Sequence, residues 1–163
     1  MDTQLLIDTL SRVIHVATAI TLVGGSAFML LVLIPAAQNL SDEEHARLRT
    51  GLIARWKRFV HIGVTLFLIS GLYNYYRAIP SHKGDGLYHA LLGTKMLIAL
   101  VIFFIAAALV GRSAKLEPIR RKRTLWLKVL LICALIVVTI SGFVKVRGPQ
   151  PPAAAQAPAA VAE

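Results

Sequence analysis

The chain has 163 residues, 56% of them hydrophobic, with a formal charge of +10 and a mean hydropathy of +0.67. Its charges fall in short clusters between long apolar runs, which excludes an ordinary water-soluble domain and predicts an integral membrane protein. Clusters such as "RRKR" flank apolar runs without interleaved aromatics, so the positive charge reads as loops meeting anionic lipid and not as a nucleic-acid interface.

The chain opens on "MDTQLLIDTLSR", apolar at regular spacing but carrying Asp2, Asp8 and Arg12. An interfacial turn leading into the first helix is expected. Asp2 replaces the basic start of a secretory signal and no small-residue cleavage site follows, so the segment is expected to be retained.

Four runs reach the roughly 20 residues that a hydrocarbon core requires: 12–37, 56–77, 88–111 and 125–146. None alternates polar and apolar residues as barrel strands do. The expectation is all-α: an integral membrane four-helix bundle over residues 1–147 with short loops. The segment 148–163, "GPQPPAAAQAPAAVAE", reads as a disordered Pro/Ala-rich spacer.

Loop charge gives the orientation. The first and third connections hold twelve Lys and Arg residues, from Arg47 to Arg58 and from Arg112 to Lys128, whereas Arg12, Arg77, Lys83, Lys145 and Arg147 lie on the other side. The positive-inside rule predicts an N-out/C-out protein of a bacterial plasma (inner) membrane.

The informative residues are the polar ones inside the runs: His15, His61 and Lys95, with His89 at an edge. At about 1.5 Å per residue, His15 and Lys95 both fall in the outer half, while His61 lies in the inner half, three residues beyond Arg58. Arg12, His15, Ala19, Leu22 and Ser26 share one helical stripe, expected to face the interior. Arg58, His61 and Thr65 form a similar stripe, and Lys95, Ala99 and Ala106 a small-residue track. Cys133, alone, reads as a packing residue.

A neutral histidine within an apolar bundle is suited to ligating haem iron, and the propionates then need cations. His15 is the candidate primary ligand; His61 is a second ligand, part of a separate inner site, or a packing residue. Arg12 and Arg77, with Lys145 and Arg147, are the candidate propionate partners.

The segment "HVATAITLVGGSAFMLLVLIPA", with eight residues between the histidine and a Gly-Gly pair, resembles the first helix of small CopD-type copper-resistance membrane domains. The run ending "SGLYNYY" and the third helix, "YHALLGTKMLIALVIFFIAAALVGR", are similar to the same pattern. The four-helix plan also resembles the HemJ-type protoporphyrinogen oxidases. That resemblance implies haem b and gives its first-helix histidine and third-helix lysine to His15 and Lys95. It spans about residues 5–147. The chain departs from it in having Leu22 and Val23 where that pattern has a tryptophan, and no arginine from Val13 to Leu40. The resemblance therefore carries the haem-site residues further than porphyrinogen oxidation.

Three function classes follow. One is a haem b redox protein that oxidises a porphyrin-like substrate or passes electrons to quinone. Another is a copper-handling protein using His15, with His61, Met29 or Met96 as further ligands. The third is an accessory subunit of a larger membrane complex or homo-oligomer, with structural histidines. No nucleophile, base and orienting acid share one depth, which argues against hydrolysis.

Overall fold

The computed structural model describes residues 2–148, and its elements are helical throughout, without a strand among the described residues. The predicted tail lies outside the described residues from 149 onward. The helices are α1 (Thr3–Phe28), α2 (Asp42–Ala78), α3 (Gly86–Val110), the short α4 (Glu117–Arg121) and α5 (Arg123–Arg147). Helices α2 and α5 enclose the second and fourth apolar runs, α3 the third apart from Gly111, its C-cap, and α1 the first as far as Phe28.

Two boundaries differ from expectation. The opening segment is the first turns of α1 itself, begun by Asp2, whose carboxylate accepts from the Gln4 N–H at 3.1 Å. Helix α2 starts at Asp42, well before residue 56, because Ser41 and Glu44 form a capping box and Asp42, Glu43 and Glu44 place negative charge at its positive end. Its first turns are charged, and hydropathy could not reveal them.

Helix α1 does not stop at Phe28. It widens into a π-turn over Met29–Leu33 and tightens to a 3-10 turn over Ala37–Asn39. Pro35, with no N–H to donate to the Leu31 carbonyl, accounts for the break in the ladder. Between α2 and α3, Gly84 adopts φ 81°, a left-handed conformation open to glycine, and Asp85 caps α3 by accepting from the Tyr88 N–H at 3.0 Å.

The α1–α2 register is antiparallel: Asp8 meets Tyr73, His15 meets Ser70, Leu22 faces Gly63, and Gly25 faces Trp56. Helix α3 packs between α2 and α5, and α5 returns to α1. This gives two poles. The termini pole holds the start of α1, the α2–α3 loop and the end of α5. The basic pole holds the α1–α2 turn and the connection through α4.

The dry core sits at the basic pole, where Met29, Ile105, Leu109, Leu127 and Leu130 are buried against Trp56 and Trp126. The outside is apolar as well: Ile20, Ile69, Leu97, Leu135 and Val138, drawn from all four long helices, are 63–68% exposed. An apolar exterior of this extent belongs against lipid or another protein. The helical segments Thr3–Asn39, Gly86–Val110 and Arg123–Arg147 are long and apolar enough to cross a membrane. Helix α2 is longer still, and its apolar stretch is diluted by His61, Asn74 and tyrosines.

Candidate functional site

The inward stripe of α1 runs through His15, Thr18, Leu22, Ser26 and Met29; of the predicted stripe, His15, Leu22 and Ser26 lie on it, whereas Arg12 is exposed, a turn nearer the start of the helix. That of α3 runs through Tyr88, Lys95, Ile98, Ile102 and Ile105. His15 and Lys95 therefore both face the space between helices, toward the termini pole, where the packing is more polar.

The His15 ring is held on three sides. Its Nδ1 lies 3.1 Å from the Ser70 hydroxyl, and that hydroxyl donates its single proton to its own helix, 2.7 Å from the Leu66 carbonyl. With its proton so placed, the serine oxygen is free to accept from His15, the arrangement in which the ring carries its proton on Nδ1. Nε2 has no hydrogen-bond partner among the described residues, and in that tautomer it keeps its lone pair.

Packing fixes the ring plane. Phe67 lies against it at a centroid distance of 3.9 Å and meets Phe103 of α3 edge-on at 5.4 Å. On the other side, a Cβ at Gly71 would come within 3.1 Å of the His15 Cε1, so glycine makes the room. Sequence reasoning missed Ser70, Gly71 and Phe67. The one available signal was the small Ser-Gly pair interrupting a run of large apolar residues.

Lys95 is half-buried, and its ammonium is within electrostatic reach of both the His15 ring and the Arg12 guanidinium. Among the described residues Lys95 has no ion-pair partner. Two cations are thus within electrostatic reach of the His15 ring, an arrangement that favours an anionic group nearby.

Other predicted residues are placed elsewhere. Arg77 is committed to Asp8 through two hydrogen bonds of 3.0 and 2.8 Å, with Tyr73 and Gln4 completing the cluster, so it ties α2 to α1. Arg147 binds Asp85 at 2.7 Å, and Lys145 is exposed. His89 is exposed, with Nε2 3.1 Å from the His82 carbonyl.

His61 corrects the stripe expected on α2. Arg58, His61 and Thr65 are all exposed, and the His61 Nδ1 closes on the Lys57 carbonyl of its own helix at 2.7 Å. The interior stripe is Trp56, Val60, Gly63, Phe67 and Ser70, because Gly63 and Gly25 permit the close approach of Leu22 and Trp56. His61 also lies nine residues before Ser70, about 13 Å along the axis, so it does not meet His15. Met29 is farther, about 21 Å along α1, with its sulfur accepting from Arg123. Met96 points outward.

Among the described residues no three His, Cys, Asp or Glu side chains converge as a metal cluster. An iron or copper held at this place would rest on His15 as its single imidazole. Beside it, an apolar surface groove of about 250 Å³ between α1 and α2 is lined by Leu10, Ser11, Ile14, Leu66, Ile69 and Ser70. No family model, curated protein or solved structure matches this chain.

Proposed function

We propose that the chain is a four-helix bundle of the bacterial plasma membrane, N-out and C-out, that binds haem b on His15 and works as a membrane redox protein. The observation that carries this reading is the contact of the His15 Nδ1 with Ser70: with Nδ1 donating there, Nε2 is left ready to ligate, the pairing that orients metal-bound histidines. The twelve basic residues of the basic pole support its placement toward the cytoplasm.

In this reading haem b would rest on one protein imidazole, that of His15. Haem supplies one-electron redox chemistry when bound. Lys95 and Arg12 offset the propionate charge, Phe67 and Phe103 wall the site against water, and Ser70 holds the histidine ring in register. The groove outside Ser70 suits a lipid-soluble electron partner, of quinone or porphyrin-like chemistry. His61 and Arg77 have no part in this site.

Oxidised and dithionite-reduced spectra of the purified full chain, with metal analysis of the same sample, test the proposal. A Soret band with b-type reduced bands is expected. A colourless, iron-free protein from haem-replete cells overturns it, in favour of copper handling if copper is found and of an accessory membrane subunit if it is not.

A further inference from the structure

The first turns of α2 pose a separate question. Residues 42–57 carry two faces of opposite character. On one, Glu43 and Arg47 satisfy each other at 2.6 Å. On the other, His45, Arg49 and Lys57 follow helical spacing and are joined across a gap by Arg112, just past the end of α3. The gap is a groove of about 400 Å³ whose floor is apolar, formed by Ala46, Ile53, Ala54 and Val110.

The side chains of Arg49, Lys57 and Arg112 have no ion pair among the described residues. Asp42, at the rim, is the one carboxylate lining the groove. The charge is deepened from within the bundle: Arg123, half-buried, lies within electrostatic reach of Arg49, and Arg120 at the same pole buries one guanidinium nitrogen without a hydrogen-bond partner. Such a gathering of like charges is unfavourable unless an anion screens it.

Height decides what that anion is. Lys57 opens the apolar part of α2 and Arg112 closes that of α3, so the groove lies where hydrocarbon gives way to headgroups. Cations above an apolar floor match a phosphate attached to an acyl chain better than a free ion. The geometry points to a binding site for one anionic phospholipid, its phosphate held by Arg49, Lys57 and Arg112 and its first methylenes on Ile53, Ala54 and Val110. This rests on the membrane reading above and is independent of haem.

Native mass spectrometry of the full chain in detergent, titrated with phosphatidylglycerol, phosphatidylcholine or inorganic phosphate, tests it. Each basic contact near an anionic lipid contributes about 5-fold, so Arg49→Gln with Arg112→Gln is expected to weaken phosphatidylglycerol binding about 30-fold. Arg47→Gln, on the paired face, is expected to leave it unchanged. Phosphatidylglycerol bound no better than phosphatidylcholine, or equal loss in the Arg47 variant, overturns a defined site. Saturation by inorganic phosphate that blocks the lipid at comparable concentration also overturns it, in favour of a soluble phosphorylated ligand. Retention of the chain in alkaline-washed membranes tests the membrane reading separately, and the absorption spectrum tests haem.

Discussion

The two poles of the bundle solve the same packing problem with opposite chemistry. At the basic pole, Met29, Ile105, Leu109, Leu127 and Leu130 close an apolar core. Toward the termini pole the interior is held by polar and aromatic contacts: His15 with Ser70, Phe67 with Phe103, and the Asp8–Tyr73–Arg77 cluster. If the chain lies in lipid, as proposed, apolar residues gain little from leaving their surroundings, and the apolar core then contributes mainly close packing. The polar half contributes geometry. On the proposed reading, stability and ligand chemistry occupy different halves, and one can change while the other is kept.

This separation is testable from the largest effect downward. His15→Ala is expected to abolish haem binding while costing about 1 kcal/mol of stability, the worth of an interhelical hydrogen bond. Haem content per chain, read beside the thermal midpoint of the apo-protein, checks it; full haem occupancy would sink the site. Ile105→Ala should do the reverse, losing about 2–5 kcal/mol of packing with the absorption spectrum intact. A large spectral change in that variant would show that the halves are coupled.

Ser70→Ala is smaller and more discriminating. It frees Nδ1 to choose another acceptor while Phe67 and Gly71 still confine the ring. Haem affinity is expected to fall about 10-fold, as it does when the partner of a ligating histidine is lost, with little change in folding. Unchanged affinity would mean that Ser70 does not orient the ligating ring.

How much of this was legible in the sequence follows from what each feature depends on. The helices were, because runs such as 88–111 carry their own length and apolarity. The depth match of His15 and Lys95 also followed from counting residues along two helices. Helix faces were not reliably legible: His61 and His15 sit in similar surroundings of sequence, yet one is exposed and the other half-buried. Rotation is decided where Gly25 receives Trp56 and Gly63 receives Leu22, contacts between residues far apart in the chain. The fate of Arg77 was hidden for a related reason. Its partner, Asp8, lies 69 residues away, and only the antiparallel register brings them together.

The smallest effect concerns the loop that closes the polar half. Asp85 accepts from Arg147 at 2.7 Å and from the Tyr88 N–H at 3.0 Å, so it joins the start of α3 to the end of α5. Hydrogen bonding to Arg147, and then to the Tyr88 N–H, holds its carboxyl below the ordinary value of 3.8. The folded state therefore takes up this proton at lower pH than the unfolded chain does. The stabilisation is complete above about pH 4 and is lost as pH falls through the lowered folded value. Asp85→Asn separates the two roles of the residue, because asparagine caps a helix about as well as aspartate but cannot pair with Arg147. The difference in thermal midpoint between wild type and Asp85→Asn should be largest near neutrality and shrink as pH drops below about 4. Comparing the two proteins at each pH reduces the contribution of Asp8 and Glu44, which titrate in both. A difference that stays constant across that range would mean that the charge on Asp85 contributes nothing to closing the loop, and that capping α3 is its whole function.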